Sequence, residues 1–277
     1  MKVIRGKKAL VSGASSGIGR AIAIDLAREG ADLFFLGVDH TGMERTAAQC
    51  RALGVEVVIR HCDLVKTADV TAAVADVLNR WGGVDILINN AGITYYGRTE
   101  RMAAEHWDRL LRINLLAHVQ ITRELLQSLL KREEAHVVNV CSVLGLVGMP
   151  KVTAYCTSKF GMVGFSEALR NEFGRLGLGV TALCPGFVQT NLFTNAPLEE
   201  NMTEHKLPPK IITTTPERVA KAAIKAIYRN RRMVVMEPFA RFLYATKRFA
   251  PWLMDAIFQF GRKKKIARKM EQLRKAA

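Results

Sequence analysis

The chain has 277 residues, 49% of them apolar, which suits one large domain with a substantial core. Its formal charge of +16 is unevenly spread: residues 239–277 hold eleven Lys/Arg against Asp255 and Glu271, so the basic excess belongs mostly to a tail, and no nucleic-acid recognition fold accompanies it. Five cysteines without a CxxC pair argue against zinc and against a disulfide framework, and no apolar run reaches the roughly 18 residues that spanning a membrane requires.

The N-terminus, Met1 to Lys8, is basic but lacks the apolar stretch of a signal peptide, so a cytoplasmic protein is expected. Ala9 to Val11 form a short apolar run that ends in a glycine-rich turn, Ser12 to Gly19. Ala21, Ile22, Ile24, Leu26 and Ala27 then recur at helical spacing. The unit repeats: strand at 33–36, helix at 41–53, strand at 55–59, helix at 70–81. Residues 86–89, 137–141 and 180–184 are continuous apolar runs, the pattern of strands covered on both faces. Helices are predicted at 104–131, 154–174 and 216–230, with a last strand at 233–236. The fold class is therefore α/β: a Rossmann-like, doubly wound parallel sheet of about seven strands with helices on both faces.

Gly13, Gly17 and Gly19 sit directly after the first strand, and the turn also contains Ser15, Ser16 and Ile18. Glycines there let backbone approach a pyrophosphate, whose charge the following helix N-terminus favours. Tyr155 and Lys159 lie four residues apart and share one helix face. An ammonium beside a phenol favours the phenolate, which predicts a Tyr155 pKa drawn below its ordinary value of roughly 10.

With these motifs the chain resembles the short-chain dehydrogenase/reductase superfamily over about residues 5–238. The resemblance rests further on Asn89, Asn90, Ala91 and Gly92 in one run, on Asp63 before Leu64, on Asn114, on Ser142 thirteen residues before Tyr155, and on Pro185-Gly186 followed by Val188 and Thr190. It implies four catalytic residues, Asn114, Ser142, Tyr155 and Lys159. By the same resemblance Asp63 contacts adenine, Val188 and Thr190 contact the carboxamide, Lys159 reaches the ribose, and Asn114 holds a water. The remaining cofactor contacts are assigned to Gly13, Ser15, Ser16, Gly17, Ile18, Gly19, Asp39, Leu64, Asn90, Ala91, Gly92, Tyr155, Pro185 and Gly186. A homodimer or homotetramer is implied as well. No metal is assigned, and His61, His106, His118 and His136 read as surface or helix-face residues.

The cofactor is NAD or NADP. Gly37 stands where NAD-preferring relatives carry aspartate, and Val38 replaces the arginine of NADP-preferring ones. Asp39 repels a phosphate if its carboxylate curls back and leaves room beside Gly37 if it points to solvent; the balance leans slightly to NADP(H). Candidate substrate walls at 94–96, 143–149 and 187–193 hold few charges, which favours a lipophilic ketone or aldehyde and its alcohol. Residues 1–238 form the catalytic domain, with a substrate lid near 190–215 and a basic, aromatic extension at 239–277. That extension reads as a peripheral membrane contact, a cover over the pocket, or a subunit interface. The rival functions are a non-catalytic dinucleotide sensor and a lipid-surface interaction protein on the same fold.

Overall fold

In each central strand, successive apolar side chains point to opposite sides, and both sides are buried. In β1 (Lys8–Ser12), Ala9 and Val11 join one hydrophobic cluster and Leu10 the other; in β2 (Asp32–Gly37), Leu33 and Phe35 part from Phe34 and Leu36 in the same way. The computed structural model describes residues 1–190, 192, 197 and 212–259. Most of the lid expected near 190–215 lies outside the described residues, as does the chain beyond 259.

The sheet continues through β3 (Val57–His61), β4 (Ile86–Asn89), β5 (Ala135–Val140) and β6 (Leu178–Cys184). A two-residue parallel pair follows, β7 (Phe187–Val188) with β8 (Thr213–Thr214), and β9 (Met233–Val235) completes the main sheet. Seven strands run parallel in the order β3-β2-β1-β4-β5-β6-β9. The order reverses between β1 and β4, and the crevice at the carboxyl ends of those strands is where such sheets bind ligands.

Helices α1 (Gly17–Arg28) and α2 (His40–Arg51), with α7 (Pro216–Tyr228), bury Ile22, Leu26, Met43, Val219 and Ile227 on one face. On the other, α3 (Thr67–Trp81), α5 (Ala117–Leu130) and α6 (Thr153–Phe173) bury Val70, Val77, Ile121, Leu125 and Leu169. The helix expected over 70–81 begins at Thr67, because its first turn is polar and gives no apolar signal. The single helix expected over 104–131 is α4 (Ala104–Leu111) joined to α5 by a π-helical turn, Arg112–Leu116. Such turns insert one residue into the helical ladder and re-aim its neighbours.

After β9 the chain enters α8 (Pro238–Phe249) and α9 (Pro251–Gln259). Both pack on the core. Ala240 is buried in the cluster that contains Val143, Leu144 and Tyr155, and Met254 is buried beside Cys141, Met162 and Cys184.

Two histidines read from the sequence as surface or helix-face residues belong to the core. His118 is on the inward face of α5, where its Nε2 lies 3.2 Å from Ser12 Oγ; His136 is on central strand β5, with Nε2 2.8 Å from Thr181 Oγ1. Burial disfavours their charged forms and lowers each pKa from 6.5 to about 3. The unfolded chain protonates these rings as pH falls through 6.5, while the folded chain does so only near 3, so stability declines over that interval. Acidification from about pH 7 to about pH 5 should cost on the order of 2 kcal/mol per histidine. Urea unfolding at the two pH values measures this, and His136→Gln should show a shallower decline than the native chain; an equal decline would rule out His136 as a source.

Candidate active site

The turn between β1 and α1 requires its glycines for two separate reasons. Gly13 and Gly17 have φ of +71° and +54°, which side-chain-bearing residues adopt at a cost, and a Cβ on Gly19 would overlap Gly13 O and Asn90 Nδ2. Asn90 braces this turn: its Nδ2 donates to Ser12 O at 3.0 Å and to Gly13 O at 3.1 Å. Ser12 Oγ in turn accepts from the backbone N–H groups of Asn90, at 2.9 Å, and Ala91, at 3.1 Å. The amide of Asn90, singled out in the sequence as a cofactor contact, holds the turn after β1 and the loop after β4 together.

From the turn a cavity of about 560 Å³ runs along the carboxyl edge of the sheet. Its floor near the turn is Gly13, Ser15, Ser16, Gly17 and Ile18. One end is formed by Gly37, Val38, Asp39, Asp63 and Leu64; the other holds Ser142, Tyr155, Lys159, Pro185, Gly186, Val188 and Thr190, with Asn90, Ala91 and Gly92 between. Of the residues selected from sequence, Gly19 and Asn114 are the two that do not line it. Asp39 Oδ1 accepts from Gly42 N at 2.9 Å and so caps α2, while Asp63 Oδ1 accepts from Val65 N at 3.1 Å.

The structure adds wall residues that the sequence did not single out. His106 and Arg109 on α4 line the cavity, with His106 stacked on Tyr95 at a centroid distance of 5.8 Å. The reading of nearly uncharged walls is thus modified by one guanidinium, brought in by the packing of α4 rather than by any motif. Among the candidate walls, Thr94, Tyr95, Val143, Leu144, Phe187 and Leu192 face the cavity; Phe193 lies outside the described residues.

At the reaction end, Ser142 leaves β5 with an extended backbone, and its Oγ accepts from Leu144 N at 3.1 Å to start the short turn Val143–Gly145. That turn is pressed against α6: a Cβ on Gly145 would come 2.6 Å from Lys159 O. The close approach brings Ser142 within reach of Tyr155, and the two side chains are hydrogen-bonded. Lys159 Nζ donates to Val140 O at 2.7 Å and lies 5.6 Å from the centroid of the Tyr155 ring.

The electrostatics differ from the sequence expectation. Burial is the largest influence on Tyr155 and pushes its phenol above the ordinary value, with the Ser142 hydrogen bond offsetting it in part. Burial also lowers the Lys159 pKa. Four-residue spacing does place the two groups together, but both sit where desolvation is the largest influence and opposes the charged form of each.

Asn114 occupies the middle of the π-helical turn and is fully buried. Its Oδ1 accepts from Ile93 N and its Nδ2 donates to Ile93 O, both at 2.8 Å; Nδ2 also lies 3.2 Å from Ser158 Oγ. The side chain ties the loop after β4 to α6. Beyond Pro185, Gly186 N donates to Glu237 Oε2 at 2.7 Å, a partner that no local pattern indicates. Among the described residues, no group of three His, Cys, Asp or Glu side chains is arranged to hold a metal ion.

Comparison with known proteins agrees with this architecture. The family model described as short chain dehydrogenase matches residues 7–201. A 17-beta-hydroxysteroid dehydrogenase 13 from Rattus norvegicus is 33% identical over 253 residues, covering 90% of this chain and 81% of the relative. A short-chain dehydrogenase/reductase from Burkholderia phymatum, solved in complex with NAD, superposes with a TM-score of 0.80 at 27% identity, over 92% of this chain and 97% of that one. An alcohol dehydrogenase from Thermococcus sibiricus, complexed with 5-hydroxy-NADP, gives a TM-score of 0.73 at 26% identity, over 84% of this chain and 96% of that one. On this evidence of sequence, sheet order and site, the chain belongs to the short-chain dehydrogenase/reductase family and is an NAD(P)-dependent oxidoreductase.

Proposed function

We propose that the protein interconverts a lipophilic ketone or aldehyde and its alcohol, with Tyr155 as the acid and base. The observation that carries this reading is the hydrogen-bonded pair Ser142 and Tyr155, with Lys159 beside it, in one cavity with the glycine turn. The cavity lies within the usual range of small-molecule sites, roughly 300–1,000 Å³. Its run from Asp63 past Gly13 and Gly17 to Pro185 fits a dinucleotide with its pyrophosphate at the N-terminus of α1. The cofactor, when bound, supplies or takes the hydride. Apolar neighbours of the reaction end, including Tyr95, Val143, Leu144 and Leu192, support a lipophilic substrate, as does the likeness to a protein named as a hydroxysteroid dehydrogenase.

The catalytic groups divide the work of this mechanism. In the reductive direction negative charge grows on the substrate oxygen, and the Ser142 and Tyr155 hydroxyls stabilise it by hydrogen bonding. Tyr155 Oη then gives up its proton, which burial keeps on the phenol at neutral pH. The Lys159 ammonium offsets the negative charge left on that oxygen and holds the cofactor ribose. Asn114 fixes the loop that carries Gly92 and Ile93. Oxidation runs the same steps backwards. Residues 1–238 are assigned to this catalytic unit, as a homodimer or homotetramer, and residues 239–277 to contact with a membrane surface.

At the ribose end neither charged arm is present: Gly37 offers no carboxylate and Val38 no cation, while the Asp39 carboxylate is engaged by Gly42 N. We assign acceptance of both coenzymes with a slight preference for NADP(H), because Gly37 leaves space.

Tyr155→Phe should retain cofactor binding, read by quenching of protein fluorescence, but lose at least about a hundredfold in turnover on a carbonyl and alcohol panel. Comparable turnover in the variant would remove Tyr155 from the acid/base role. For the coenzyme, kcat/KM with NAD and NADP should differ by less than about tenfold, or 1.4 kcal/mol. Gly37→Asp should abolish use of NADP while sparing NAD; undiminished use of NADP would place the 2′-phosphate elsewhere.

A further inference from the structure

Helix α8 is apolar on two opposite faces, and among the described residues one of them has no cover. Ala240, Leu243, Tyr244 and Lys247 face inward. Ala240 packs in the Tyr155 cluster, Leu243 and Tyr244 pack with Met254, and Lys247 Nζ donates to Leu146 O at 2.6 Å. Phe242, Ala245 and Phe249 follow at helical spacing on the other side, and Phe242 and Phe249 are 61% and 80% exposed. Trp252, at the start of α9, is 70% exposed. Arg241 and Arg248, seven residues apart and also exposed, flank the stripe. Isolated exposed aromatics are ordinary on protein surfaces, but three on adjoining helical segments, bordered by arginines, form a surface with a partner chemistry.

We propose that this face, Phe242, Phe249 and Trp252 flanked by Arg241 and Arg248, docks on an anionic lipid surface. Aromatic side chains enter the headgroup and acyl boundary, and the arginines remain among phosphates. A second copy of the chain is the poorer fit on charge: Arg241 and Arg248 border this face, so pairing it with itself would bring like charges together, whereas anionic headgroups neutralise them. The same helix is tied to the reaction end through Lys247 and Leu146, and Glu237, the residue before it, accepts from Gly186 N. Docking would therefore hold the catalytic cavity at a fixed position relative to the bilayer from which a lipophilic substrate would come. This deepens the membrane assignment above and does not depend on the identity of the catalytic acid.

The test uses the full chain and sedimentation with sucrose-loaded vesicles of phosphatidylcholine alone or mixed with phosphatidylglycerol. The native protein should pellet with the mixed vesicles and far less with phosphatidylcholine. The triple variant Phe242→Ser, Phe249→Ser, Trp252→Ser should need at least about tenfold more mixed lipid to pellet, with unchanged circular dichroism and unchanged turnover of a water-soluble alcohol. Arg241→Gln with Arg248→Gln should weaken pelleting and reduce its salt sensitivity. Equal pelleting of the triple variant would overturn the assignment of this face, as would failure of the native protein to pellet. A triple variant that passes from dimer to monomer by light scattering, with vesicle binding intact, would give the face to a second copy. Failure of the whole carbonyl and alcohol panel would instead strike the catalytic reading and leave the vesicle result standing.

Discussion

The hydroxyl of Ser12 is the point on which the ligand-facing edge of the sheet is assembled. At the end of β1 it accepts from the N–H groups of Asn90 and Ala91, just after β4, and lies against the neutral ring of His118. Asn90 returns two bonds to the Ser12 and Gly13 carbonyls. The Ser12 hydroxyl itself is fully buried, so its hydrogen bonds must come from the protein. The glycine turn and the loop after β4 are thereby fixed to one another. A polar seam extends inward from the same edge, where Asn89 Nδ2 bonds Asn139 Oδ1 and Thr122 Oγ1, and Asn139 Nδ2 bonds Ser166 Oγ on α6. Helix α6, which carries Tyr155 and Lys159, is registered to the sheet by hydrogen bonds as well as by packing.

That burial also sets the chemistry of the reaction end. A phenol and an ammonium on one helix face suggest mutual activation, yet both lie almost fully buried, and desolvation opposes the charged form of each. The consequence is a phenol that keeps its proton at rest, which suits the proposed role as donor. In the proposed reduction, charge growing on the substrate oxygen would meet two preoriented hydroxyls in a poorly solvated site, where such bonds are strongest.

The C-terminal helices extend this logic outward. Glu237 and Lys247 bond the two loops that frame the reaction end, and Ala240 packs in the Tyr155 cluster. A cut at residue 239 would strip contacts from the catalytic loops along with the basic tail, so point changes on the outer face separate docking from catalysis more cleanly than truncation does.

Sequence by itself determined the sheet, the glycine turn and the pairing of Tyr155 with Lys159, because these rest on short-range rules: period-two burial along strands, backbone room at glycine, and four-residue spacing on a helix; Ser142 joined them only through the family resemblance. Only the tertiary structure decided the π-helical turn at Asn114, the bracing of the glycine turn by Asn90, the burial of His118 and His136, the entry of Arg109 into the cavity, and the Glu237 bond to Gly186 across 51 residues. Each of these depends on which distant segment arrives alongside, and on how much water that arrival removes. The direction of the Tyr155 shift belongs to the same class, since spacing reports proximity while the dielectric around a pair is a property of the whole fold.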